Sequence, residues 1–274
     1  MLDLSQRKVA ICLSSGFFGF YAHCGFMQAA NRLGIKPVAI TGCSAGALLG
    51  ALWATGLPEE TIRSTVLASS VRDILDPPSI RELTIGPMGL ASGRRMERML
   101  DRALTVHSFE ECSIPFAVTA FDLSDGELKV IDSGPLARGV RASASLPGLF
   151  CATEINGHLY WDGAVAEKAP MAPIISRDDV DTVIVSYLAR PDGSGTPRSF
   201  MASIRRAIDA LVYASDRRTV AEARRRGLEV IVVAPKVTRC GPLKMGEGPT
   251  IVEQAERETM RIFSEEDFGC QELS

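Results

Sequence analysis

Thr41-Gly42-Cys43-Ser44-Ala45-Gly46-Ala47 lies between two apolar stretches of different character. Before it comes Val38-Ala39-Ile40, closed at its start by Pro37. After it comes Ala47-Leu48-Leu49-Gly50-Ala51-Leu52-Trp53-Ala54, rich in good helix formers. Strand, sharp turn and helix form the context of a Gly-x-Ser-x-Gly nucleophile elbow. In such a turn the serine holds a strained backbone conformation, and the residues two positions away on either side must lack bulk. Gly42 and Gly46 meet that requirement, with Cys43 and Ala45 filling the turn. A helix opening at Ala45 aims free backbone N–H groups and its positive dipole end at any oxyanion formed beside Ser44. A tight turn with two fortuitous glycines would show the same five residues. The flanking strand and helix therefore carry the reading.

Upstream, Lys8-Val9-Ala10-Ile11-Cys12-Leu13 reads as a first, buried strand. It gives way to Ser14-Ser15-Gly16-Phe17-Phe18-Gly19, then to a helix from Phe20 to Leu33 ended by Gly34. Strand, small-residue loop and helix N-terminus make an anion-binding corner. Two kinds of anion fit it. For a dinucleotide, the first glycine of the fingerprint would fall on Ser14, and no acidic residue follows at the expected distance of about 20 residues. For acyl transfer, backbone N–H groups around Ser15, Gly16 and Phe17 would face charge developing on a carbonyl oxygen. The oxyanion hole is the better reading.

Downstream, Pro58-Glu59-Glu60 opens a helix with acidic residues in its first turn. Over residues 71–93, Asp76-Pro77-Pro78 and Gly86-Pro87-Met88-Gly89 break any long helix, while Ile74, Leu75, Ile80, Leu83, Ile85, Met88 and Leu90 keep the segment apolar. That pattern suits a lid or acyl-chain entrance, or an irregular core connection. Arg94, Arg95 and Arg98 on the next helix suit a solvated face or a contact with lipid phosphate. Two strands follow, Pro115 to Phe121 and Glu127 to Ile131, and then a helix from Pro135 to Ser145. A hairpin turning at Asn156-Gly157 delivers Trp161-Asp162-Gly163-Ala164 onto a second tight turn. Strand 182–188, a long helix with a basic face (199–226), strand 228–234 and helix 249–266 complete the chain. Strands alternating with helices predict an α/β fold on a mostly parallel sheet, with residues 1–274 forming one domain.

Composition narrows the function. A net charge of −3 over 274 residues gives no overall attraction to nucleic acid. Seven scattered cysteines without a C-x-x-C pair suit reduced thiols and offer no zinc site. The N-terminus lacks the order of a signal peptide, and no apolar run reaches the roughly 18 residues of a membrane span. The expectation is a cytoplasmic protein, alternatively peripheral at a membrane.

A serine hydroxyl needs a base. Only His23, His107 and His158 are present, and none lies beyond residue 158. The usual order of serine, acid and histidine is therefore closed. His158 with an acid out of order, or a carboxylate alone, remains. Asp162, on its Asp-Gly-Ala turn, is the carboxylate best placed by local geometry.

Ser14-Ser15-Gly16-Phe17-Phe18-Gly19, Gly42-Cys43-Ser44-Ala45-Gly46 and Asp162-Gly163-Ala164 occur in that order, with Ala142-Ser143-Ala144-Ser145-Leu146-Pro147-Gly148 between the last two. Over residues 8–175 the chain resembles the patatin-like phospholipase family. The resemblance implies a three-layer α/β/α fold and a Ser44–Asp162 dyad acting on acyl esters of lipids, with no cofactor or metal. The oxyanion loop falls on Ser14 to Gly19, where the family usually carries Gly at the positions of Ser14 and Ser15. The implied partner is a lipid or lysolipid, with transient membrane-surface contact. Acyl transfer to another alcohol, and lipid binding without turnover, are the alternatives.

Overall fold

A computed structural model describes residues 4, 6–85, 89–188, 199–238 and 240–265 of the chain. Its strands are β1 (Val9–Leu13), β2 (Ala39–Gly42), β3 (Phe116–Asp122), β4 (Glu127–Ile131), β5 (Thr153–Ile155), β6 (His158–Asp162), β7 (Thr182–Ser186) and β8 (Glu229–Val233). Its α-helices are α1 (Phe20–Arg32), α2 (Ala45–Ala54), α3 (Glu59–Ala68), α4 (Val71–Ile74), α5 (Ile80–Ile85), α6 (Arg94–Ala103), α7 (Leu136–Ser143), α8 (Ala172–Ile175), α9 (Phe200–Arg225) and α10 (Gly248–Ser264).

The strands form one sheet in the order β5-β6-β3-β2-β1-β7-β8, with β4 paired to β3 off this path. From β3 to β8 the pairing is parallel, whereas β4, β5 and β6 pair antiparallel. Parallel strands are covered on both faces, and that is why the runs around Ile11, Ile40 and Ile184 are apolar throughout. Val9, Ile11 and Leu13 of β1 pack into a core shared with α1, α2, α3, α6, α7 and α10. Ala10 and Cys12 point the other way, into a core beneath α9 that includes Val220 and Ala223. The result is the three-layer arrangement expected from the sequence.

One edge of β3 is divided between two strands. Val118 pairs with Gly42 on one side and Ile131 on the other, and Ala120 pairs with Asp162 and Lys129. With β4 along one edge, β2 and β6 must share the opposite one. They meet end to end, so Asp162 lies two β3 residues past Gly42, roughly 7 Å at a rise of about 3.3 Å per residue.

The apolar segment after α3 is built as two short helices rather than one, as its breakers predict. Arg141 of α7 is buried and holds the segment down. Its guanidinium donates to Glu97 at 2.8 Å, Glu82 at 3.2 Å and the Ser92 carbonyl at 2.8 Å. Ile80 and Leu90 nonetheless stand 82% and 80% exposed. Met88, the loop from Arg190 to Thr196 and the tail after Asp267 lie outside the described residues.

Helix α10, which carries no recognisable motif, is packed tightly on α1. A Cβ at Gly25 would lie 2.8 Å from both the Ala255 Cβ and the Glu256 amide nitrogen, and closer still to the Val252 carbonyl oxygen. Backbone cannot yield as a side-chain tip can. Gly25→Ala is expected to destabilise the fold by about 1–3 kcal/mol through overpacking, despite its gain in helix propensity. Thermal and urea unfolding of the variant would measure this.

Candidate active site

Ser44 follows Cys43 in the two-residue turn from β2 to α2, and its backbone has φ 55° and ψ −115°. A positive φ at a residue with a Cβ costs on the order of 1–3 kcal/mol and needs a surrounding structure that enforces it. Two close approaches do so. A Cβ at Gly42 would fall 2.5 Å from the Gly46 carbonyl oxygen, and a Cβ at Gly46 would overlap the Leu13 carbonyl of β1. The turn can pack this tightly only with glycine at both sites. The Cys43 amide also donates to Leu13 O at 3.1 Å, fixing the elbow to the end of β1.

Asp162 ends β6 and is 1% exposed. Its Oδ1 accepts the Ala164 amide at 2.9 Å and the Cys43 thiol at 3.5 Å, and the Ser44 hydroxyl acts on the same carboxylate as a more distant donor. Burial pushes its pKa up from 3.8 to about 6, against the lowering effect of those three donors. Gly163 is required by contact, since a Cβ there would lie 2.7 Å from the Thr119 carbonyl oxygen.

The stretch Ala142 to Gly148 supports both residues. Ser143 Oγ accepts the Ser44 amide at 3.1 Å, and the Ser145 carbonyl accepts the Asp162 amide at 2.9 Å. Neither role could be read from composition; the two-residue spacing of the serines at the end of α7 was the available signal. The structure corrects the oxyanion loop at one position. The Ser15 amide is committed to the Lys168 carbonyl at 2.8 Å, so it is not free to meet a substrate oxygen. Among the described residues, the amides of Gly16 and Phe17 have no acceptor.

The histidines stand apart from Ser44. His23 is buried, bonded to Ser186 Oγ at 2.9 Å and the Ser14 carbonyl at 2.7 Å, and burial lowers its pKa to about 4. His158 pairs with Asp122 at 2.8 Å, and His107 is exposed. Asp122, Asp125 and His158 approach one another within 4.8 Å. Asp122 also caps the amides of Ser124 and Asp125, and Asp125 pairs with Lys129 at 3.0 Å, so the turn itself accounts for that cluster. Behind α2 an apolar cavity of about 30 Å³ is lined by Phe20, Leu48, Leu52, Ile74, Met96 and Met99 among others. Leu48 is one helical turn from Ser44.

Residues 11–175 match the family described as patatin-like phospholipase, more than half of the chain. The chain belongs to the patatin-like phospholipase family. An uncharacterized NTE family protein of Mycobacterium tuberculosis is 32% identical over 187 residues, covering 66% of this chain and 49% of that protein. The lysophospholipase NTE1 of Cryptococcus neoformans is 27% identical over 203 residues, 73% of this chain and 12% of that one. The match thus spans about half, or much less, of the length of these relatives. Among solved structures, VipD from Legionella pneumophila superposes with a TM-score of 0.56 at 14% identity, over 94% of this chain and 67% of that one. ExoU, solved with SpcU from Pseudomonas aeruginosa, gives 0.53 at 13% identity, over 94% and 52%. These two extend the shared fold of this patatin-like chain beyond residue 175. No described helix is long and apolar enough to cross a membrane.

The raised pKa of Asp162 makes a stability prediction. Near pH 3, folded and unfolded chains both hold its proton and its burial as an ion costs nothing. Above about pH 6 the folded chain must bury a charge that the unfolded chain solvates, at a cost on the order of 3 kcal/mol. Asp162→Asn is therefore expected to raise the melting temperature at pH 7–8, with the gain shrinking as the pH falls towards 4. Melting curves of both proteins across that range would check it.

Proposed function

We propose that the chain is a lipid acyl-ester hydrolase of the phospholipase or lysophospholipase kind, working through a Ser44–Asp162 dyad. One observation carries the reading: a serine strained at the mouth of a helix, beside a buried carboxylate whose pKa its hydroxyl lowers. Ser44 Oγ attacks the ester carbonyl and passes its proton to Asp162. The carbonyl oxygen becomes an oxyanion facing the free amides of Gly16 and Phe17 and the N-terminus of α2. The tetrahedral centre collapses, and Asp162 returns the proton to the departing alcohol, leaving the acyl group on Ser44. Water then attacks the acyl-enzyme with Asp162 again taking a proton, and as the Ser44 Oγ–acyl bond breaks Asp162 returns that proton to Ser44 Oγ, releasing the carboxylic acid. The lipid character of the substrate is supported by family membership.

Asp162 can accept a proton only when ionised, and burial lifts its pKa to about 6. Activity on a soluble ester is therefore expected to fall about tenfold per pH unit below about 6 and to level off above it. Ser44→Ala and Asp162→Asn should each lose several orders of magnitude in kcat, and the double variant little more, because the pair acts as one unit. Near-normal hydrolysis by purified Ser44→Ala would end this reading.

Transient membrane contact forms part of the proposal. Phe17, Ile80 and Leu90 are exposed apolar side chains, 58%, 82% and 80% accessible, and Arg94 and Arg95 of α6 are exposed cations. Exposed apolar surface costs about 25 cal/mol per Å² in water, which contact with a lipid interface would recover. Leu90→Asp should reduce turnover on long-chain vesicles at least tenfold more than turnover of a short soluble ester. Equal losses on the two substrates would place Leu90 in the packing of the fold instead.

A further inference from the structure

The family match ends at residue 175, yet a buried carboxylate beyond it reaches the oxyanion loop through a short chain of hydrogen bonds. Asp216 lies on the face of α9 turned to the sheet and is fully buried. One of its oxygens accepts the Lys168 amide at 2.9 Å and the Ala169 amide at 3.1 Å, and the other accepts the Tyr187 hydroxyl at 3.0 Å. Three donors from two segments are thus fixed by one side chain: the irregular segment that follows the Asp162 turn and the residue just after β7.

Lys168 passes that constraint on. Its carbonyl accepts the Ser15 amide at 2.8 Å. Its ammonium group lies 4.6 Å over the Tyr187 ring and donates to the Leu188 carbonyl. The Leu188 amide donates to Ser14 Oγ at 2.8 Å, and the Leu188 side chain covers Gly16 and Gly19 closely enough that a Cβ on either would overlap it. The loop Ser14–Gly19 is therefore gripped on both sides by groups whose own positions are set at Asp216. Within that loop the amides of Gly16, Phe17 and Phe18 have no acceptor among the described residues, and the first two are those the proposed oxyanion hole uses.

We infer that Asp216 is a positioning residue for the reaction, holding the oxyanion loop in place through Lys168 and Leu188. The inference rests on the Ser44–Asp162 reading for its catalytic half and on the hydrogen-bond chain for its structural half. Asp216 never meets substrate. Its effect falls on the alignment of Gly16 and Phe17 with an oxygen that becomes charged only in the transition state. Loss of Asp216 should therefore act on kcat and leave KM nearly alone.

The test uses the full chain with Asp216→Asn, near in shape and able to keep one acceptor, and Asp216→Ala. Val220→Ala, one turn further along α9, is buried but outside the hydrogen-bond chain and serves as a control for general destabilisation. On a short soluble ester, kcat should fall roughly tenfold in the Asn variant and roughly a hundredfold in the Ala variant, with KM changed less than about twofold, the scale expected for a misplaced catalytic group. Amide hydrogen exchange followed by mass spectrometry should show faster exchange over residues 13–19 in both variants, with β2 and α2 protected as before. Unchanged exchange there would overturn the clamp. So would a kcat loss in Val220→Ala equal to that of an Asp216 variant with the same melting temperature. A fluorophosphonate probe on the wild type separates the two readings: no labelling of Ser44 would overturn the dyad and the catalytic half of this inference, while the exchange result judges the clamp on its own.

Discussion

The proposed site depends on one edge of β3 being divided between two strands. Parallel β2 occupies that edge as far as Val118, and antiparallel β6 takes it up at Ala120. Strands meeting end to end must leave the sheet there, one turning into α2 and the other into the Asp162-Gly163-Ala164 turn. Two sharp turns then face each other across a gap that only small residues can border. Gly42 and Gly46 on one side and Gly163 on the other are steric consequences of this arrangement, each pressed against backbone carbonyls. Ser143 and Ser145, at the end of α7, bind one amide from each turn. The pairing of a nucleophile with its proposed base is thus a property of sheet register before it is one of chemistry.

A buried carboxylate is unfavourable, and the fold tolerates it through donors rather than through an opposite charge. Asp162 receives an amide and a thiol, with the Ser44 hydroxyl acting on it from further off, each of them neutral. A cation in their place would hold the carboxylate ionised but would weaken it as a proton acceptor. Neutral donors leave its pKa raised to about 6, nearer to the working range of a base at neutral pH. The same desolvation that would suit Asp162 to the proposed role makes it costly to stability, and the rest of the sheet bears that cost.

Much of this was legible in the sequence. The elbow could be read because a short strand, two glycines and a helix former occur within seven residues around Ser44. The Asn156-Gly157 hairpin and the strands at Ile11, Ile40 and Ile184 declare themselves by local pattern. The order of β2 and β6 along β3 does not, because register between segments 120 residues apart leaves no trace in either one. The commitment of the Ser15 amide to Lys168 was hidden for the same reason, and with it the correction to the oxyanion loop. Asp216 had no signal at all. In sequence it is one acidic residue beside Arg217 and Arg218 on a charged helix, and only its burial sets it apart.

Cys43 poses a last question, since a thiol is intrinsically the better nucleophile and stands next to Ser44. Geometry and electrostatics both decide against it. Cys43 is fully buried while Ser44 is partly exposed, so an ester can approach only the hydroxyl. Burial drives the Cys43 pKa well above its ordinary range, and the neighbouring Asp162 carboxylate raises it further. The thiolate, the reactive form, is therefore suppressed. What remains is a neutral S–H group 3.5 Å from Asp162 Oδ1, one more weak donor to the carboxylate. The residue before the proposed nucleophile is thus placed to tune the proposed base. A side chain there without a donor would leave Asp162 more basic still.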